Sequence, residues 1–173
     1  MTQSPDAMKP LGVSVLTVSD TRSLETDTSG DALIVELTQA GHSLVHRQIV
    51  GDDVYQIRAV VSAWIADPNV DVVITTGGTG VTGRDSTPEA VNALLDKRID
   101  GFGELFRLVS FEEIGPSSLQ SRCLAGVANS TFVFTVPGST NACRTAWKRL
   151  IGPQLDSRTR PCNLADLIPR LSE

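Results

Sequence analysis

The feature that most constrains this chain is the junction at 70–85, where the apolar run VDVVITT stops abruptly in GGTGVTGRD. A run apolar at nearly every position, rather than at alternate ones, needs cover on both faces. That is the signature of a strand inside a parallel sheet flanked by helices. The glycines that follow replace side chains with backbone, which lets amide groups approach a neighbour or a ligand.

The rest of the chain repeats the strand-then-helix pattern. Gly12 to Ser19 (GVSVLTVS), Ser43 to Val50 and Thr131 to Val136 (TFVFTV) read as further strands. Between them, Thr26 to Gly41 reads as a helix capped by Thr28 or Ser29, with Leu33, Leu37 and Ala40 on one face and Gly41 stopping it. Val54 to Ala66 reads as a second helix, with Ile57, Val60, Val61 and Ile65 at helical spacing, and Ser139 to Leu150 as another. Thr87 to Asn129 contains no clear strand and reads as several short helices, opened by Thr87 as cap and Pro88 at the first helical position. The expected fold class is α/β, a three-layer α/β/α sandwich with a mostly parallel sheet. Residues 1–11 read as a flexible N-terminal leader and residues 12–173 as one domain. The tail from Ser157 is less regular, and its apolar stretch from Leu164 to Leu171 suits packing on a partner subunit.

In an open parallel sheet, ligands bind beyond the carboxyl ends of the strands. Here those ends carry Ser19-Asp20-Thr21, Gly51-Asp52-Asp53, Thr75 to Gly80, and Pro137 to Thr140, four loops expected on one rim. Net charge is −5, from 15 basic and 20 acidic residues, with no basic cluster, which argues against a nucleic-acid surface. It does not exclude an anionic small molecule held by backbone amides. No apolar run approaches the ~20 residues of a membrane span, and the amino terminus lacks an apolar signal core, so a cytoplasmic location is expected. Cys123, Cys143 and Cys162 are too widely spaced for a zinc site and read as buried thiols in a reducing compartment.

The glycine loop has three readings. Gly78, Gly80 and Gly83 match a dinucleotide GxGxxG, but Pro88 delays the helix and no acidic strand end follows. Gly78 to Gly83 also has the spacing of a phosphate-binding P-loop, with Arg84 and Asp85 where lysine and a hydroxyl belong. Third, it is a tight turn with no ligand; the glycine content exceeds what one turn needs, at about 0.5–1 kcal/mol of backbone entropy each. Asp85 narrows the choice. A carboxylate ~4 Å from a phosphate oxygen is repelled by about 4 kcal/mol at an effective dielectric near 20, so it belongs there only with a bridging cation such as Mg²⁺. Asp52 is the candidate second carboxylate; the alternative is a solvated turn residue. Ser139 and Thr140, at a helix start, offer a second anion position.

The segment TTGGTGVTGRDSTPEA resembles the signature of the MoaB/MogA molybdenum cofactor biosynthesis family. TVSDTR, DGFGELFRLVSFEEIG and SLQSRCLAGVANSTFVFTVPGSTNACRTAW are similar to the same family, and the RTRPCN tail resembles its MoaB branch more than MogA. The likeness runs from Gly12 to Leu167. It implies a molybdopterin-binding domain that adenylylates the pterin's terminal phosphate with Mg-ATP and releases pyrophosphate. It implies Asp52 and Asp85 as catalytic and Mg²⁺-holding residues, although Asp52 sits in Gly-Asp where relatives often have Pro-Asp. Ser19, Asp20, Thr76, Gly77, Gly78, Thr79, Gly80, Arg84, Pro137, Gly138, Ser139 and Thr140 are the implied ligand-binding set. In it, the Gly77 to Gly80 amides hold phosphate with Thr79 assisting, and Asp20 and Arg84 orient. Glu104 and Arg107 fall in a family-like segment, but an i,i+3 surface ion pair explains them equally well. Small-molecule partners and a homotrimer or homohexamer are implied. The alternative to an enzyme is a non-catalytic molybdopterin carrier, an inactive paralogue of the same fold.

Overall fold

The computed structural model describes residues 7–171 and 173. Six strands form one sheet in the order β2-β1-β3-β6-β5-β4. They are β1 (Gly12–Val18), β2 (Ser43–Val50), β3 (Val72–Thr76), β4 (Lys97–Arg98), β5 (Leu124–Ala128) and β6 (Thr131–Val136). The pairs β1–β2, β1–β3 and β3–β6 are parallel, whereas β5 and β4 attach as antiparallel additions. The helices are α1 (Thr28–Gln39), α2 (Val54–Ile65), α3 (Thr87–Asn92), α4 (Asp100–Ile114), α5 (Thr140–Ala146) and α6 (Gly152–Leu155); a π turn, Trp147–Ile151, joins the last two.

Alternation along the buried strands builds the two outer layers. Val72 and Ile74 of β3, with Phe132 and Phe134 of β6, pack against Leu33 and Leu37 of α1, Phe102 and Phe106 of α4, and Cys143 and Ala146 of α5. Val73 and Val133 point the other way, against Ile57, Val61 and Trp64 of α2 and Ala90 and Val91 of α3. Two separate cores on opposite faces are the three-layer sandwich expected from continuous apolar strands.

Local expectations change in detail, among them the cap of α3, which is Ser86 and not Thr87. The Thr87–Asn129 stretch holds β4, β5 and a helix of 15 residues, not only short helices. The β5–β6 reversal is a two-residue hairpin in which Asn129 and Ser130 both have positive φ, as the tightest hairpins require. The cap of α1 is Asp27, whose carboxylate accepts from the Gly30 amide at 2.9 Å, not Thr28 or Ser29. Asp27 is almost fully buried and also takes a hydrogen bond from Thr17 at 2.8 Å and an ion pair from Arg47 at 3.1 Å.

The first described residues meet the C-terminal segment on the body of the protein. Residues 1–6 of the expected leader lie outside the described residues. Lys9 donates its amide to Ser157 Oγ and pairs with Asp166, and Leu11 is buried. The apolar tail packs in part on the chain's own core: Ala165 is buried there, with Leu164, Ile168 and Leu171 against it, while Leu167 is exposed. Cys123 and Cys143 are buried, and desolvation pushes their thiols up to about 12 and about 11, so neither ionises near neutral pH. Cys162 is exposed, contrary to the expectation of three buried thiols. No helix among the described residues is long and apolar enough to cross a membrane.

A pH dependence follows from His42. It is buried edge-on to Trp147, and its Nδ1 accepts the Leu11 amide at 3.2 Å, a bond only the neutral ring can accept. Desolvation lowers its pKa, with Asp156 and Asp71 opposing more weakly. The unfolded chain therefore binds a proton first as pH falls. The stabilisation is complete above the ordinary histidine pKa of about 6.5 and is lost below it. Chemical denaturation at pH 7 and 5 should give a lower midpoint at pH 5, and His42→Asn should flatten that slope; an equal slope in the variant would remove His42 as its source.

Candidate functional site

The register places four strand ends in one row. Val18 pairs with Val50, Thr17 with Thr76, and Thr76 with Val136. The loops after β1, β2, β3 and β6 therefore emerge side by side. Their closeness depends on missing side chains. Gly77 has φ +98, and a Cβ there would run into the Val18 carbonyl. A Cβ on Gly138 would stand 3.1 Å from the Gly77 Cα. Gly78 has φ +62, and a Cβ would meet the Thr87 hydroxyl and stand 2.6 Å from Asp52 Oδ2.

Both candidate carboxylates lean on this loop. Asp52 Oδ1 accepts from the Ser86 amide at 3.0 Å and the Ser86 hydroxyl at 2.5 Å. Its own amide donates to Asp20 at 3.2 Å, and Asp20 pairs with Arg84 at 2.8 Å. Asp85 Oδ2 accepts from the Thr82 hydroxyl at 2.6 Å and the Thr82 amide at 2.9 Å. The Thr82 hydroxyl is the main cause holding the Asp85 carboxyl below its ordinary range; the Thr82 and Gly80 amides and Arg122 assist, and partial burial opposes. A Cβ on Gly80 would stand 2.7 Å from Asp85 Oδ2.

Gly78, Thr79, Gly80, Asp85, Pro137, Gly138 and Ser139 share one cleft of about 420 Å³. Its other wall is Phe106, Ser110 and Ile114 of α4 and Ser117 and Ser118 of the following turn, none of which the sequence singled out. The remaining expected residues play other parts. Ser19 Oγ caps its own turn by accepting the Thr21 and Arg22 amides, and it lines a separate cleft with Arg47. Thr76 is fully buried, donating to the Pro137 carbonyl at 2.9 Å beside Cys143 Sγ. Thr140 shares a 2.9 Å hydrogen bond with Thr28. Ser139 Oγ accepts the Ala142 amide as the cap of α5, so its hydroxyl is engaged within the helix. No ion pair joins Glu104 and Arg107 among the described residues; Arg107 lies over Gly103 and reaches the Ser121 carbonyl at 3.5 Å.

The residue that sequence reasoning missed most clearly is Arg122, just before β5. It donates from Nε to the Gly80 carbonyl at 2.6 Å and from Nη2 to the Asp85 carbonyl at 2.6 Å, and pairs through Nη1 with Glu89 of α3. Its only signal was its place in the family-like SLQSRCLAG segment.

Whether the loop suits a cation can be judged from its oxygens. Thr87 Oγ1 is fully buried without a hydrogen-bond partner, and it faces the Gly78 gap that Asp52 also borders. An unpartnered buried hydroxyl beside a carboxylate fits a hard cation or a water it orders. Among the described residues no three histidine, cysteine or carboxylate side chains form a complete metal site. A Mg²⁺ here would take one or two carboxylates, with phosphate and water completing its shell.

Comparison with known proteins places this geometry in context. Residues 14–157 match the family described as a probable molybdopterin binding domain. The chain is 55% identical over 163 residues to molybdenum cofactor biosynthesis protein B of Escherichia coli (strain K12), covering 94% of this chain and 96% of that one. A crystal structure of molybdenum cofactor biosynthesis protein B superposes with TM-score 0.87 at 44% identity, covering 96% of this chain and 98% of that one. The tungsten cofactor synthesizing protein MoaB from Pyrococcus furiosus superposes with TM-score 0.78 at 32% identity, covering 96% of this chain and 100% of that one.

Proposed function

The chain belongs to the MoaB/MogA family of molybdenum cofactor biosynthesis proteins, and from that premise we propose that it binds molybdopterin and adenylylates its terminal phosphate with Mg-ATP. An oxygen of the pterin phosphate attacks the α-phosphorus of ATP. The new P–O bond forms as the bond to the β-phosphate oxygen breaks, and pyrophosphate leaves with that electron pair. The nucleophile is already an anion, so no general base is required; alignment and charge neutralisation carry the reaction. The observation that carries this reading is that Asp52 and Asp85 flank one glycine turn, each held there by loop donors.

In this reading Asp52 and Asp85 hold Mg²⁺, which neutralises phosphate charge when bound. The Gly78 to Gly80 backbone receives phosphate oxygens, with Thr79 beside it. Arg84, exposed and paired with Asp20, orients the nucleotide from the rim. Phe106 and Ile114 give the cleft an apolar wall for a flat ring, and Ser110, Ser117 and Ser118 supply polar partners for its edge. Incubating the protein with molybdopterin, ATP and Mg²⁺ should yield adenylylated molybdopterin and pyrophosphate. A non-catalytic molybdopterin carrier is the second reading, favoured by the RTRPCN tail, which resembles the MoaB branch more than MogA. Tight pterin binding without product at high protein concentration would decide for it.

A cytoplasmic homotrimer or homohexamer completes the reading. Leu105, Leu108, Phe111 and Ile114 recur every three residues along α4, each half or more exposed. That stripe borders the cleft at Ile114 and is the apolar face a second copy would cover. Light scattering should report a trimer or hexamer, and Leu108→Asp with Phe111→Asp should reduce its mass; a wild-type monomer would overturn the assignment.

A further inference from the structure

We infer that Arg122 is a positioning residue that sets both candidate metal carboxylates, by pinning the main-chain carbonyl of Asp85 and, across the same peptide, the Ser86 amide that holds Asp52. In a planar trans peptide, a carbonyl and the following amide N–H point in opposite directions. The Thr79 carbonyl accepts the Arg122 main-chain amide at 3.3 Å, beside Gly80, whose Cβ position lies 2.7 Å from Asp85 Oδ2. The Asp85 carbonyl accepts from Arg122 Nη2 at 2.6 Å, and the next amide, of Ser86, donates to Asp52 Oδ1 at 3.0 Å. Between them, Nε takes the Gly80 carbonyl at 2.6 Å. Arg122 thus draws three loop carbonyls to one side, two through the guanidinium and one through its main-chain amide, and the opposite-facing Ser86 amide meets Asp52.

Glu89 fixes the guanidinium from the other side through Nη1, so the fork does not rotate about its own stem. A planar group with five donors in fixed directions suits this task, and an ammonium does not. The guanidinium is partly buried, with charge-assisted bonds to neutral carbonyls, which are stronger than ordinary amide hydrogen bonds. A loop holding several glycines is intrinsically loose. An external clamp therefore fixes it without adding side-chain bulk to the ligand face.

The experiment compares Arg122→Lys and Glu89→Gln with wild type by two readouts. The first is hydrogen exchange of the Thr82 and Ser86 amides by NMR, which needs no ligand and reads the amides that donate to Asp85 and Asp52. Both variants should exchange faster at these two amides, Arg122→Lys the more, with the sheet amides unchanged. The second is turnover, which rests on the adenylylation reading. Arg122→Lys should raise the Mg²⁺ concentration needed for half-maximal rate and lower kcat/KM for Mg-ATP by about 10²-fold, the scale of a misplaced reacting group. Added guanidinium ion should restore part of the rate to Arg122→Ala. If wild type forms no product, the adenylylation reading fails and amide exchange alone decides the positioning role. Unchanged exchange at Thr82 and Ser86 overturns it, as does faster exchange spread evenly over the sheet with no rescue. Should Arg122→Lys fail to fold, Glu89→Gln decides by the same two amides.

Discussion

Asp85→Asn should lower adenylylation by about 10²–10³-fold, the scale seen when a single electrostatic group is removed from a reacting centre. Molybdopterin binding should change little. The substitution is informative because of how Asp85 is held. Oδ2 alone accepts both Thr82 donors. An asparagine amide oxygen can take that place, keep the turn folded, and leave an NH₂ where the other carboxylate oxygen stood. The loop survives and the charge does not. Rates measured with and without saturating Mg²⁺, alongside pterin binding by calorimetry, check the outcome. Normal turnover in the variant would remove Asp85 from the metal role, and a matching loss of pterin binding would make it a binding residue instead.

The second large effect is on stability. Gly77→Ala should lower unfolding free energy by about 4 kcal/mol, combining a left-handed backbone at a residue with Cβ and a clash with a carbonyl that cannot rotate away. The carbonyl is that of Val18 in the central strand β1, so relief requires the sheet to shift. For a domain of this size the loss corresponds to a melting point about 10 °C lower. Gly83→Ala is the control in the same loop. Its Cβ would meet nothing within 4 Å. It should be neutral, or stabilising by about 0.4–1 kcal/mol through a less flexible unfolded chain. Thermal unfolding of the pair tests whether the three loops are packed as tightly as described. Equal melting points would contradict it.

Three of the four parallel strands, β1, β3 and β6, were legible because they are largely apolar along their length, a pattern that leaves few alternatives. β5 was not, because Leu124–Ala128 contains Ala125, Gly126 and Ala128, residues with weak strand preference. It is held by its β6 partner across a turn whose Asn129-Ser130 lacks the usual glycine signal. α4 was obscured by Gly101 and Gly103 near its start, where Gly103 admits the Arg107 guanidinium. In the site, residue type and loop position located Asp52, Asp85 and the glycines. They did not distinguish side chains facing the cleft from those turned inward, such as Thr76, or tied to a neighbouring helix, such as Thr140. Arg122 left no periodic or compositional trace, because its partners are backbone carbonyls that every sequence possesses.

The strand order has a consequence for how the chain is made. β6 lies between β3 and β5, yet it is the last strand to be synthesised. Until residue 136 has left the ribosome, one side of β3 offers a row of unpaired backbone groups, a template for another chain. The first three strands and their helices must wait with that edge open, at a synthesis rate of about 5–20 residues per second. The glycine loop waits with them, because Gly77 hydrogen-bonds to Val136 and packs on Gly138. Nascent chains arrested before β6 should therefore require chaperone cover and lack a ligand site, whereas chains released after α5 acquire both a closed sheet and the cleft in one step.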